Sequence, residues 1–210
     1  MKQSIEKMRI EYAEHPLEGV DDDPFVQFKM WLQDAVACNV FEPNGMMLAT
    51  TLDGHPSSRM VLLKQIDKKG FLFFTDYQSR KGLQIEKNSH VSLTFWWKEI
   101  YRQVNIEGDV EKVSREISSA YFAKRPKGAQ IAATISSQSE TVESREELEQ
   151  RFKQVQNAYR GKKLACPKNW GGYRVIPSRF EFWQGRKNRL HDRFYYVKNP
   201  PLWNSFRLSP

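Results

Sequence analysis

The stretch Trp170–Tyr196, WGGYRVIPSRFEFWQGRKNRLHDRFYY, decides how the chain is read. β-Branched and aromatic residues cluster on either side of Gly185-Arg186-Lys187-Asn188, which has the chemistry of a turn. Two strands are therefore predicted, Tyr173–Gln184 and Arg189–Val197. Side chains alternate along a strand, which sets Arg189, His191 and Arg193 on one face and Leu190 and Phe194 on the other. Such a row is either the wet face of a half-buried strand or, with Trp183 beside it, the wall of an anion-seeking pocket. Periodicity alone does not choose between them.

Upstream, the same strand pattern recurs. MMLATTLD, an Asp53-Gly54 turn and PSSRMVLLKQID make a hairpin, and Gly70-FLFFT adds a third strand of a meander. His90-VSLTFWW and Arg102-QVNIEGDVEKV continue it, and Trp203–Arg207 closes the chain with a short strand. In the hairpin's second strand, Arg59 and Lys64 fall at odd separation and so on opposite faces. Helices are predicted where the period changes. Asp21-Asp22-Asp23-Pro24 starts one, with Phe28, Trp31 and Ala35 on its apolar stripe. Three more lie between Ser114 and Tyr159, the last opened by a capping box, Ser144 with Glu147. The fold class is mainly β with α, an antiparallel sheet or barrel with helices beside it. Residues 1–22 read as a polar, mobile arm and 23–210 as one domain.

The segment Thr75-Asp76-Tyr77-Gln78-Ser79-Arg80-Lys81-Gly82 reads as a phosphate cradle. Ser79 is a good N-cap, and a helix N-terminus offers free N–H groups and the positive end of a dipole. Arg80 and Lys81 oppose that dipole, a local conflict that an anion would relieve. Gln103 and Asn105 share one face of their strand, and Tyr121 and Arg125, four apart, share one side of a helix. Ser136-Ser137-Gln138-Ser139, taken alone, is a plain loop.

Charge and composition bound the function. The 210 residues are 40% hydrophobic and 28% charged with a net charge of +8, a globular chain with anionic partners. The 33 basic residues are spread among 25 acidic ones, which fits a phosphate pocket better than a nucleic-acid arm; in the nucleic-acid alternative Trp96, Trp97 and Tyr101 would be stacking platforms. Cys38 and Cys166 are far apart, without metal-ligand spacing, and no metal is expected. With no apolar run near the ~20 residues of a membrane span and no leader-like N-terminus, a cytoplasmic protein without a membrane partner is expected. Neither a dinucleotide fingerprint nor a P-loop is present, so a phosphate site has to come from the sheet.

RMVLLK (Arg59–Lys64), FFT with SRK (Phe73–Thr75, Ser79–Lys81), Gln138-Ser139, FWQGRKNRLHDR (Phe182–Arg193) and the closing Arg207-Leu208-Ser209-Pro210, in this order, resemble the pyridoxine (pyridoxamine) 5′-phosphate oxidase family. The resemblance covers nearly the whole chain from about Arg9. It implies an FMN-binding split β-barrel homodimer, with flavin at the subunit interface. It further implies oxidation of pyridoxine or pyridoxamine 5′-phosphate by oxygen to pyridoxal 5′-phosphate and hydrogen peroxide. Flavin ligands carried over are Arg59, Met60, Val61, Leu62, Leu63 and Lys64 along the strand, and Phe74 and Thr75 on the next. Arg80 and Lys81 would hold the FMN phosphate, with Gln103, Gln138, Ser139, Trp183 and Arg193 completing the set. Substrate would meet Lys64, Tyr121 and Arg125 at its phosphate, and Arg189, Leu190 and His191 at its ring and reacting carbon. Arg189 and His191 are the catalytic pair, and proton handling falls to His191 or to the substrate's own ring charge, since arginine is too weak an acid to serve as a base. Arg9 and Tyr12 match a substrate-covering segment of some members. Where many members carry a serine four residues beyond the Arg-Pro arginine, this chain has Ala129, a loss of ~0.5–1.5 kcal/mol of phosphate binding unless water replaces the hydroxyl. A split-barrel flavin protein with another substrate, or without oxidase activity, is the alternative.

Overall fold

The computed structural model describes residues 4–8, 10–12, 17 and 19–210. Strands are β1 (Gly45–Leu52), β2 (His55–Leu62), β3 (Gln65–Ile66), β4 (Phe71–Asp76), β5 (His90–Trp97), β6 (Arg102–Lys112), β7 (Trp170–Gln184), β8 (Asp192–Asn199) and β9 (Leu202–Arg207). Helices are α1 (Pro24–Ala37), α2 (Arg80–Lys87), α3 (Arg115–Lys124), α4 (Lys127–Ile135) and α5 (Arg145–Ala158). The strands follow the order β2-β1-β5-β6-β7-β4-β3, with β8 on β7 and β9 on β8, and the path does not close. The mainly β, α+β class expected from the patterning is the one observed.

The chain forms two compact units, residues 1–48, 92–108 and 177–210 in the first and 49–91 and 109–176 in the second. In the first, Pro24 occupies the opening turn of α1 and the Asp23 carboxylate accepts from the Phe25 N–H at 2.8 Å, satisfying a donor the helix cannot. The helix buries Phe28, Trp31 and Ala35. Phe28 meets Phe95 edge-on at 4.9 Å and Trp31 meets Phe182 at 5.2 Å, so the predicted stripe is core. β7 and β8 pair antiparallel in the register Phe182↔Phe194 and Trp183↔Arg193. Trp97 is fully buried, its Nε1 donating to the Pro43 carbonyl at 2.9 Å, whereas Trp96 is half exposed and lies 6.0 Å from Trp183.

In the second unit, Asp53 and Gly54 both take positive φ (51° and 77°), the tight turn that Asp-Gly favours between twisted strands. β4 pairs antiparallel with the first half of β7, from Phe71↔Val175 to Asp76↔Trp170. Glycine is required at 172, where a Cβ would lie 2.7 Å from the Phe74 ring, and this keeps Phe74 close against β7. Phe122, Ile131, Leu164 and Trp170 form a buried cluster under α3–α5, with Phe74 and Tyr121 packed against it. Ser144 caps α5 by accepting from Glu147 N–H, and the Glu147 carboxylate reaches back to Glu143 N–H, one residue beyond the expected reciprocal partner.

Two sequence expectations need correction. β8 begins at Asp192, not at Arg189. Residues Lys187–Arg189 form a short 3-10 turn in which Asn188 and Arg189 take positive φ (56° and 62°), so Arg189, His191 and Arg193 are not one alternating face. Likewise β2 ends at Leu62 and the chain bends into β3, so the alternation that put Arg59 and Lys64 on opposite faces stops before Lys64. No described helix is long and apolar enough to cross a membrane.

Candidate active site

The second unit carries a pocket of about 760 Å³ between β2, β4, α2, α3 and the loop after α4. Six cationic residues line it, Arg59, Lys64, Arg80, Lys81, Lys124 and Arg125, and its described lining contains no Asp or Glu. The expected residues Met60, Val61, Leu62, Phe74, Thr75, Tyr121, Gln138 and Ser139 line it as well. Leu63 is buried and does not. Arg59 and Lys64 reach the same pocket because of the bend after Leu62.

Ser79 caps α2, accepting from Gly82 N–H and donating to the Asp76 carbonyl at 2.6 Å. That turn is tight because residue 82 has no Cβ; one there would lie 2.1 Å from the Tyr77 carbonyl oxygen. The capping geometry turns Lys81 inward. The residue is only 7% exposed, and its ammonium donates to Gln138 Oε1 at 2.7 Å and to the Thr75 and Ser79 hydroxyls at 3.2 Å each. All three partners are neutral. Burial first, and then the Arg59 charge, pull the Lys81 pKa down to about 8, against an opposing pull from Asp76. The loop after α4 supplies Gln138, and the Ser139 hydroxyl, at φ 78°, accepts from Arg80 N–H. A loop that read as plain by its own residues thus closes over the helix start.

At the other wall Tyr121 stacks on Phe74 at 4.0 Å, with Trp170 behind both. Arg125, the cap residue ending α3, lies over the Trp170 ring at 4.7 Å. Among the described residues its Nη1 is buried without a hydrogen-bond partner, and burial holds its pKa below the usual arginine value. A guanidinium donor left unpaired in such a place is costly unless an acceptor arrives. Ala129 lines the pocket too, so the family's serine position falls at the pocket wall.

In the first unit the β7–β8 loop is fixed by ion pairs. The Asp192 carboxylate takes Arg186 Nη1 at 2.9 Å and Arg207 Nη1 at 2.5 Å. Arg186 N–H donates to His191 Nδ1 at 3.0 Å. With Nδ1 occupied as acceptor, the neutral ring carries its proton on Nε2. Burial, then the Arg189 charge, lower the His191 pKa. Trp183 lies 4.5 Å from the imidazole and Tyr12 5.7 Å. Tyr12, Arg189 and His191 line a second pocket of about 510 Å³ in this unit. Leu190 is exposed. Arg193 donates to Glu181 at 2.7 Å and to the Ser209 carbonyl at 2.9 Å. Gln103, Trp183 and Arg193 line neither pocket. Arg9 lies outside the described residues. Thr50, Ser57, Gln84 and Lys124, which the motifs did not single out, surround or line the cationic pocket; nothing in their local pattern marks them.

An open antiparallel sheet with helices, and a cation-lined pocket whose described lining holds no carboxylate, define a mainly β protein of the split-barrel class. Residues 32–159 match the family model described as pyridoxamine 5′-phosphate oxidase, and residues 170–210 match the pyridoxine 5′-phosphate oxidase C-terminal dimerisation region. The chain belongs to the pyridoxamine 5′-phosphate oxidase family and is an oxidoreductase. Among curated relatives, the pyridoxine/pyridoxamine 5′-phosphate oxidase of Rubrobacter xylanophilus is 48% identical over 100% of this chain and 98% of its own. That of Nostoc sp. is 49% identical over 100% of both chains. Among solved structures, PhzG from Burkholderia lata in complex with tetrahydrophenazine-1-carboxylic acid superposes with a TM-score of 0.86 at 29% identity, covering 90% of this chain and 94% of that one. A pyridoxamine 5′-phosphate oxidase-related, FMN-binding protein of Nostoc punctiforme shares the fold, with a TM-score of 0.71 at 16% identity over 87% of this chain and 97% of that one.

Proposed function

We propose that the protein is a homodimeric, FMN-dependent oxidase converting pyridoxine 5′-phosphate or pyridoxamine 5′-phosphate to pyridoxal 5′-phosphate, with FMN bound at the subunit interface. The observation that carries the reading is the cationic pocket, in which, among the described residues, buried Lys81 donates to neutral oxygens and Arg125 keeps a buried, unpaired donor. A phosphate would answer both, as an anion for the Lys81 ammonium and an acceptor for the Arg125 donor. Cofactor and substrate each carry one, so this reading requires two phosphate sites, and it divides five of the pocket's six cations between them.

Arg59, Arg80 and Lys81, near the start of α2, hold the FMN phosphate, with Thr75, Gln138 and Ser139 as hydrogen-bonding partners. The strand Met60–Leu62 and Phe74 flank the ring system, and Gln103, Trp183 and Arg193 contribute across the dimer. When bound, FMN supplies the hydride acceptor and passes the electrons to oxygen, giving hydrogen peroxide. Lys64, Tyr121 and Arg125 hold the substrate phosphate, and Tyr12 covers the substrate. Arg189 and Leu190 hold the pyridine end. His191 acts as a hydrogen-bond donor through Nε2, because its other nitrogen is committed to Arg186 N–H. It therefore does not take the substrate proton, which passes to the ionised hydroxyl oxygen on the substrate's own ring and from there to solvent. Pyridoxine 5′-phosphate and oxygen give the aldehyde and peroxide; the amine substrate consumes a water as well and releases ammonia.

The test is aerobic turnover by the FMN-loaded protein. One pyridoxal 5′-phosphate and one hydrogen peroxide per substrate are expected, and turnover is lost when FMN is stripped and restored when it is returned. Product formed at the same rate by stripped protein would overturn the reading.

A further inference from the structure

We propose that Gln84, which does not itself line the pocket, is a positioning residue that aims the Arg59 guanidinium and preserves its charge for the bound anion; the inference rests on the reading of this pocket as an FMN-phosphate site. Gln84 is buried in α2, with 4% of its surface exposed. Its Oε1 lies 2.7 Å from Thr50 Oγ1, 2.8 Å from Ser57 Oγ and 3.3 Å from Arg59 Nη2. The same two hydroxyls meet the guanidinium, Nη1 with Thr50 and Nη2 with Ser57, each at 2.7 Å.

Donor and acceptor capacity fixes the direction of this network. A guanidinium only donates, and each hydroxyl has a single hydrogen. Thr50 and Ser57 therefore accept from Arg59 and pass their hydrogens to Gln84 Oε1, which gathers three donors at one neutral carbonyl. A carboxylate of the same shape would accept the same three bonds. It would also form an ion pair with Arg59 and cancel the charge that a phosphate needs.

The choice of an amide matters because the cations are crowded. Arg59 and Lys81 are each lowered by burial and then by a neighbouring cation, Arg80 for the first and Arg59 for the second. An acid at position 84 would relieve that repulsion in the empty protein. Gln138 serves Lys81 in the same way, as a neutral oxygen at 2.7 Å. Two amides in place of two acids leave the pocket's charge to its ligand.

The test compares FMN with riboflavin, which has the same ring system and no phosphate, binding to stripped wild type, Gln84→Glu and Gln84→Leu. Quenching of flavin fluorescence gives the affinities, and near-ultraviolet circular dichroism checks the fold. Gln84→Glu is expected to weaken FMN tenfold or more and to leave riboflavin within twofold. Gln84→Leu, which removes the acceptor without adding charge, is expected to cost FMN at least threefold relative to riboflavin, and it carries the test if the acid variant does not fold. Unchanged FMN affinity, or equal weakening of both flavins, would overturn the inference. Wild-type protein that binds the two flavins equally would instead remove the phosphate reading beneath it.

Discussion

Replacing Lys81 by Met is predicted to make the ligand-free protein more stable while abolishing FMN binding. The buried ammonium has a pKa of about 8 against an ordinary 10.5. That difference corresponds to about 3.5 kcal/mol at ~1.4 kcal/mol per tenfold change, and solvent entering the open pocket screens part of it, leaving ~1–3 kcal/mol. The sign follows from linkage. Between pH 8 and 10.5 the unfolded chain binds more protons at this residue than the folded one, so wild-type stability rises with pH across that window. Below pH 8 the cost of the charged, buried group is present in full, and above 10.5 it is gone. Methionine fills a similar volume without charge. It strands few acceptors, because Thr75 still donates to Gln138 and Ser79 still donates to the Asp76 carbonyl. In thermal unfolding of the stripped proteins at pH 7, the variant should melt higher by roughly 2–4 °C per kcal/mol for a chain of this size. The gap should close as pH approaches 10.5. A variant less stable than wild type at pH 7, or a gap that does not change with pH, would refute the argument that Lys81 is held charged for a ligand at the protein's expense.

Other perturbations follow from the same geometry. Arg125→Leu should raise KM for pyridoxamine 5′-phosphate ~10–100-fold, the value of one or two charge-assisted hydrogen bonds, with FMN content unchanged; loss of FMN at constant KM would contradict the assignment. Ala129→Ser restores the family's hydroxyl at the pocket wall and should lower KM about 2–10-fold in steady-state assays, and no change would mean that water already fills the role. His191→Asn should slow anaerobic flavin reduction at least ~10-fold without releasing FMN, within the usual range for removing a group that acts on the reacting atoms. Because the His191 pKa is lowered, the neutral donor form is complete above its folded pKa and is lost only as pH falls through it. The acid limb of kcat/KM should therefore lie below the ordinary histidine value of 6.5, and a limb above pH 7 would count against this role.

Much of the framework was legible because local rules and tertiary structure agree. Asp23-Pro24 opens a helix, Asp53-Gly54 closes a hairpin and Ser79 caps α2, each where the sequence pattern puts it. The start of α2 stood out for the opposite reason, since Arg80 and Lys81 sit where a helix start resists positive charge. What failed was extrapolated alternation. Positive φ at Asn188 and Arg189 and the bend after Leu62 break the period of two, and neither leaves a mark in hydrophobic pattern. Gln138 and Gln84 were invisible to residue-level reading because their roles arise from long-range partners, 57 residues away at Lys81 and 25 at Arg59. Only the resemblance singled out Gln138, and nothing singled out Gln84.

The central claim, that this pocket and loop serve FMN-dependent oxidation of a phosphorylated B6 vitamer, is tested most directly by mixing the FMN-loaded protein with pyridoxamine 5′-phosphate without oxygen. The account predicts a yellow protein that bleaches within its turnover time and regains its colour when air is admitted. A protein that stays yellow with this substrate and with pyridoxine 5′-phosphate, or that takes up no FMN, would contradict it.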